Sequence, residues 1–148
     1  MADGRTLTGG RVLVTSGASP WAPPIPGLAE AGYLDNERAR ALQQLPASLV
    51  VIGASVVGLE LAQLFARLGV RVTVLEALPR VVPAEDPAVG EALAGFLEAE
   101  GLAVHSGIAI VQVGRGGEGY EVRFRQGAEP MVATAEQLLV ATGRRANT

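Results

Sequence analysis

Cysteine is absent from this 148-residue chain. That excludes disulfides, thiolate metal sites and any thiol chemistry performed by the chain itself. Lysine is absent too, so all 12 basic residues are arginine; against 15 acidic residues they leave a formal net charge of −3. Aromatic residues make up only 4%. A chain with no basic run and few rings to stack on bases is not built to bind nucleic acid, and an acidic surface gains nothing beside anionic lipid. No stretch reaches the roughly 18 apolar residues of a membrane span, and the opening "MADGRTLTGG" has no apolar signal core. The expected location is cytoplasmic, with no membrane partner. His105 is the only histidine, and no carboxylate pattern surrounds it. It reads as structural or surface, and neither a metal site nor a catalytic triad is expected. What remains is ordinary for a globular domain, with 49% hydrophobic and 18% charged residues, and long enough for a real core.

The apolar run "RVLVT", 11–15, reads as a short buried strand. "SPWAPPIPGL" follows, and its prolines fix φ and remove N–H donors, so it is neither helix nor central strand. It reads as an ordered extended loop, in which Trp21 packs against a surface either within this chain or outside it. "LDNERARALQQL" predicts a short helix capped by Asp35 or Asn36 and ended by Pro46. "SLVVIG", 48–53, is a β-branched run expected of a strand buried on both faces. The next segment is an amphipathic helix with Val57, Leu61, Leu64, Phe65 and Leu68 on its packed side, stopped by Gly69. "VRVTVLE", 70–76, is a second strand, and the strand–helix–strand order predicts parallel pairing. A second helix follows, capped by Asp86 with Pro87 at its first position and Gly101 at its end. "LAVHSG" reads as the next parallel strand. "IAIVQVGRG", "GYEVRFR" and "PMVATAEQLLVAT" then read as strands of a β-meander. The expected fold is α/β, Rossmann-like, a parallel sheet with helices on one face and the meander on the other. The two ends echo one another: "VLVTSGASP" and "LLVATGRRAN" are both apolar strands closing in a small-residue turn.

The stretch "VVIGASVVGLELAQ" carries the chemistry. In a dinucleotide-binding turn the first glycine permits the tight bend, the second lets backbone approach a pyrophosphate, and the third lets helix pack on strand. Gly53 and Gly58 hold the first and third places, and Ser55 stands in the second. Serine keeps the site small, and its hydroxyl is available to a phosphate or to the helix as a cap. The amides of Ser55, Val56 and Val57 face an incoming anion, which the helix dipole favours. The bland alternative is that both glycines serve helix–strand packing alone. Context favours the nucleotide: a buried strand precedes the motif, an amphipathic helix follows it, and a second strand ends in Glu76 about twenty residues on, where a carboxylate holds a ribose. A carboxylate accepts from a 2′-hydroxyl and repels a 2′-phosphate, so NAD(H) is favoured over NADP(H). Arg80 either reaches a 2′-phosphate or is a solvated loop arginine. Glu60, in the first turn, either complements the helix dipole or serves the ligand.

Together "VTSGASPWAPPIPGL", "VVIGASVVGLELAQLFARLGVRVTVLE", "EDPAVGEAL" and "LLVATGRRANT" resemble the pyridine nucleotide–disulfide oxidoreductases, FAD-dependent enzymes. The match covers nearly the whole chain, and the serine at the second glycine place is most like the mercuric reductase branch. The resemblance implies a nicotinamide domain inserted in a flavin domain, with residues 1–45 as crossover and linker, 46–140 as the NAD(P)H-binding domain, and 141–148 as the return. It implies that Gly53, Ala54, Ser55, Val56, Val57, Gly58 and Glu60 wrap the pyrophosphate and nicotinamide ribose. Glu76 would hold the adenine-side ribose, Ile110 would line the adenine, and Gly143 would lie near the nicotinamide. Glu60 would orient the nicotinamide, and Ser16 and Gly17 would brush the FAD, which is held mainly by domains not present in these 148 residues. The full-length enzyme would be a homodimer passing hydride from NAD(P)H to FAD and electrons on to Hg(II), and this chain alone would turn nothing over. A dihydrolipoamide dehydrogenase, an NADH oxidase-like enzyme and a non-catalytic nucleotide-binding module remain as alternatives.

Overall fold

The computed structural model describes residues 4, 6, 8–117 and 119–148; the opening "MADGRTLTGG" lies partly outside them. At the centre is a four-stranded parallel sheet of β2 (Ser48–Ile52), β3 (Arg71–Glu76), β4 (Ala103–Ser106) and β8 (Gln137–Val140), in the order β4-β3-β2-β8. Helices α3 (Val56–Arg67) and α4 (Pro87–Ala99) connect β2 to β3 and β3 to β4. Between β4 and β8 runs an antiparallel meander, β5 (Ile108–Gly116), β6 (Gly119–Gln126) and β7 (Glu129–Ala135).

Strand alternation explains why the sheet is covered on both sides. Successive side chains point to opposite faces. Leu49 and Val51 of β2, Val72 and Val74 of β3 and Leu139 of β8 pack with Leu59, Leu61, Ala62 and Phe65 of α3 and Leu97 of α4. Their neighbours Val50, Ile52, Leu75, Leu138 and Val140 face the meander, against Val113, Val122 and Phe124. The result is three layers, helices, parallel sheet and meander, as the sequence pattern predicts. Each fully buried Val or Leu contributes about 1.5–3 kcal/mol, and in β2 both faces contribute. His105 of β4 packs its ring against Phe124, centroids 5.3 Å apart, with Nδ1 3.2 Å from Gln126 Oε1, in keeping with a structural role.

Several expectations change in detail. The run 11–15 forms no strand; Val12 and Leu13 are 84% and 87% exposed, because the described residues offer them no partner strand. The residues that do pair lie just beyond it. β1 (Ala18–Pro20) pairs antiparallel with β9 (Arg144–Ala146), so the two echoing segments meet in a two-stranded ribbon. A one-turn helix, α1 (Leu28–Ala31), ends the proline loop, and α2 (Asn36–Arg40) is capped by Asp35, whose side chain accepts from Glu37 and Arg38 N–H. α2 stops well before Pro46, its last residue being Arg40. The final apolar run splits at Glu136: its first part is β7 of the meander, and its second is β8 of the parallel sheet. On α3 the buried face is Gly58, Leu59, Leu61, Ala62 and Phe65, while Val57, Leu64 and Leu68 are exposed. Small residues let the helix lie close to the sheet, which turns the packed face towards Gly58 and Ala62.

Candidate functional site

At the carboxyl ends of β2, β3 and β8 the sheet opens on a cleft of about 630 Å³, within the size range of small-molecule sites. The Gly53–Ser55 turn forms part of it. Gly53 has φ +103, and a Cβ there would lie 2.6 Å from Ala141 O, so no side chain fits between β2 and the end of β8. Gly58 meets the same turn from the helix side: a Cβ would stand 2.1 Å from Gly53 O. The two outer glycines therefore allow helix and strand to touch, and the bland packing role is real. It does not account for Ser55. Ser55 is the N-cap of α3, yet its side chain makes no capping bond; its hydroxyl lies a long 3.4 Å from Ala141 O. The first N–H groups of any helix lack intrahelical partners. Here the residue that usually satisfies one of them leaves them free, at the edge of a cleft that Ser55 lines.

Glu76 is the charged residue of the cleft lining and is only 8% exposed. Its Oε2 accepts from Ala54 N–H at 2.7 Å, and its Oε1 accepts from Leu78 N–H at 2.8 Å. A buried carboxylate needs such partners. It thereby ties the glycine turn to the loop after β3, and each oxygen retains acceptor capacity for a ligand hydroxyl. Ile110, with Ile108 and Ala109 at the start of the meander, forms an apolar part of the same lining. Ser55, Val57, Ala141 and Gly143 border a small adjoining cavity of about 70 Å³. Ala54 is buried in the turn and Val56 is exposed.

Other expected residues lie apart. Glu60 is exposed and is the fifth residue of α3, just past the first turn, which holds no acidic residue; it lines neither cavity. Ser16 and Gly17 are engaged with the far end of the chain: Ser16 Oγ donates to Asn147 O, Asn147 Nδ2 donates to Ser16 O at 3.1 Å, and Asn147 N–H donates to Gly17 O at 3.0 Å. They line neither of the two cavities at this end of the sheet. Arg80 is not in the cleft lining and is not a free loop arginine. It is half-buried, its guanidinium donates to Pro83 O at 3.1 Å and to Glu85 O at 3.3 Å, and its Nε is buried without a partner among the described residues. It staples the loop after β3.

Two participants were not visible as site residues in the sequence. Val82 adopts φ +40, an outlier for a β-branched residue, and its N–H donates to Ala54 O at 2.8 Å. The glycine turn is thus held from two sides by the same loop, through Glu76 and through Val82. Trp21 joins the cleft lining from the N-terminal segment, beneath the Arg145 guanidinium, which lies 4.7 Å from the ring centroid. Its place in a proline-fixed loop was its only sequence signal. Among the described residues no group of three or more His, Cys, Asp or Glu is placed to hold a metal ion, and no helix is long and apolar enough to cross a membrane.

A glycine turn leading from a parallel strand into a helix, facing a buried carboxylate on the next strand, defines a class of dinucleotide-binding α/β units. The pyridine nucleotide-disulphide oxidoreductase family model matches residues 1–148, and the chain belongs to that family. Similar curated proteins are the mercuric reductases of Acidithiobacillus ferrooxidans, 44% identical over 93% of this chain and 24% of that protein, and of Shigella flexneri, 42% identical over 97% of this chain and 25% of that protein. The chain thus spans about a quarter of their length. Among solved structures, an HOCl-induced flavoprotein disulfide reductase of Escherichia coli is 28% identical with a TM-score of 0.76, covering 90% of this chain and 30% of that one. A water-forming NADH oxidase of Lactobacillus brevis has a TM-score of 0.80 at 24% identity, over 90% of this chain and 30% of that one, a likeness of fold alone.

Proposed function

We propose that this chain is the nicotinamide-dinucleotide-binding unit of a flavoprotein disulfide reductase, of the mercuric reductase type. The observation that carries the reading is the uncapped amino end of α3 in the Gly53–Gly58 turn, at the edge of a cleft whose lining includes the buried carboxylate of Glu76. A pyrophosphate there receives N–H donors and the positive end of the helix dipole, which favours an anion by about 0.3–1 kcal/mol, or about 2 when partly buried. Glu76 accepts from the adenine-side ribose hydroxyls, and Ile110 lies against the adenine.

The cleft lining also supports NADH over NADPH. It contains Glu76 and neither arginine nor histidine. The one arginine of the adjacent loop, Arg80, is fastened to Pro83 and Glu85 carbonyls. A 2′-phosphate would meet a carboxylate and no cation. In a full-length protein of this type, bound FAD would supply the two-electron chemistry between the nicotinamide held by this chain and Hg(II), which would leave as Hg(0). With no cysteine, this chain contributes binding and orientation and leaves the thiol chemistry to other parts of a longer, dimeric protein. Gly143 borders the nicotinamide end, and Glu60 serves that end from the exposed side of α3. Isothermal calorimetry with NADH and NADPH on the 148-residue chain tests the reading. The expected result is weak binding that favours NADH, without turnover of Hg(II) by the chain alone. No heat with either nucleotide, or mercury reduction at an enzyme-like rate, overturns it.

A further inference from the structure

We infer that Trp21, the chain's single tryptophan, forms a wall of the cleft against the nicotinamide–ribose half of the dinucleotide, with Arg145 fixing its ring. The inference rests on the dinucleotide reading above and adds a ligand-contacting residue from outside the strand–helix–strand unit. Trp21 lines the cleft although it belongs to the segment after β1. Its main chain is fastened to the end of β8 by two bonds: Trp21 N–H donates to Gly143 O at 3.0 Å, and Trp21 O accepts from Thr142 Oγ1 at 2.7 Å. That anchor also decides which half of the cleft it serves. Ala141, the residue before Thr142, touches the glycine turn. The other end of the cleft is supplied by Ile110 and Leu78, from the meander and the loop after β3. Trp21 therefore stands at the pyrophosphate-to-nicotinamide end.

The ring is held as well as placed. Arg145, on β9, sets its guanidinium 4.7 Å from the ring centroid, within cation–π range. The β1–β9 pairing keeps the two residues on facing segments, with Pro20 opposite Arg144. A half-buried indole, held in this way beside an apolar cleft, offers a flat surface to a flat ring, and such stacking is strong enough to change affinity several-fold or more.

The test compares NADH with ADP, which keeps the adenosine and pyrophosphate and lacks the nicotinamide ribose. Calorimetry is run on the 148-residue chain and on Trp21→Ala, Trp21→Phe and Arg145→Ala. Trp21→Ala is expected to weaken NADH about five- to tenfold and to leave ADP within about twofold. Trp21→Phe keeps most of the affinity, and Arg145→Ala shows a smaller loss confined to NADH. In the parent chain NADH, whose reduced ring absorbs where indole emits, quenches Trp21 fluorescence, and ADP does not. If Trp21→Ala fails to fold, Trp21→Leu, which keeps an apolar side chain but no ring, takes its place: loss of NADH with ADP retained supports the role, and parent-like NADH binding overturns it. A folded Trp21→Ala that binds NADH like the parent, or that loses NADH and ADP equally, overturns the role of Trp21 and leaves the nucleotide reading standing. A parent chain that binds neither ligand overturns both.

Discussion

The parallel sheet opens on a cleft at each end. At the carboxyl ends of its strands the volume is about 630 Å³, and at the amino ends, among Ala47, Ser48, Arg71, Gly119 and Glu136, it is about 460 Å³. Both are roomy, and both carry a carboxylate. They differ in what their polar groups are already doing. At the amino end Glu136 accepts from Ala47 N–H at 2.7 Å, and its own N–H donates to Ser48 Oγ at 3.0 Å, so this carboxylate and its own amide are tied to β2 and the residue before it. At the carboxyl end the Ser55 side chain makes no capping bond to the first amides of α3, and Ser55 itself lines the cleft. A helix amino end without a side-chain cap, beside a buried carboxylate, is what sets the carboxyl-end cleft apart.

That contrast is open to attack by substitution. Gly58→Val is expected to do most damage, since even a Cβ would stand 2.1 Å from Gly53 O. Overpacking against backbone of this kind costs about 3 kcal/mol or more. Thermal melting should fall by about 6–12 °C, with NADH binding lost at temperatures where the protein is still folded. Gly119→Ala strikes the opposite end: φ is +140 and the new Cβ would lie 2.3 Å from Ala135 O. A loss of about 1–3 kcal/mol in denaturant unfolding is expected, with the NADH affinity of the folded protein unchanged. A fall in affinity equal to that of Gly58→Val would erase the distinction between the two clefts.

Glu76→Ala removes the acceptor of two backbone bonds and of the ribose. NADH affinity should drop about tenfold, equal to about 1.4 kcal/mol, and NADPH much less, so that the ratio of the two approaches one. An unchanged ratio, with weaker binding of both, would assign Glu76 to the turn alone. The smallest effect is expected remote from both clefts. Arg67 donates to Glu100 at 2.7 and 2.9 Å, joining the end of α3 to the end of α4. The hydrogen bond from Arg67 holds the Glu100 carboxyl below its ordinary pKa. A depressed carboxyl pKa adds stability above the unfolded value, and that contribution is lost as pH falls through the folded one. Melting curves should therefore show Glu100→Gln slightly below the parent at pH 7 and level with it in strong acid, the gap also closing in high salt.

The sequence made the central unit legible because two independent patterns coincide there. β2 and β3 are β-branched runs of strand length, and the glycine spacing between them has a mechanical meaning at each position. The capped helix starts at Asp35 and Asp86 were equally plain, since a side-chain acceptor before a helix is a local signal. Less was legible where the partner is remote. The exposure of Val57, Leu64 and Leu68 follows from how closely Gly58 and Ala62 approach the sheet, and a helix apolar on several sides does not announce which side packs. The split of the last run into β7 and β8 occurs at Glu136 without glycine or proline to mark it. Nothing about valine at 82 predicts a positive φ; it accompanies a bond to Ala54 O, a partner 28 residues earlier in the chain. Trp21 reaches the cleft only because β1 and β9 come together.

The ribbon of β1 and β9, with Ala18 opposite Ala146, has a mechanical corollary. Two segments 128 residues apart are clasped into one narrow stem, so any chain attached at both sides would leave the body at a single point. A unit hung in this way can be spliced into a host loop at little entropic cost, because its own folding already brings the splice points together. Such a paired stem would turn the unit as a whole about one pivot, carrying the cleft and Trp21 with it.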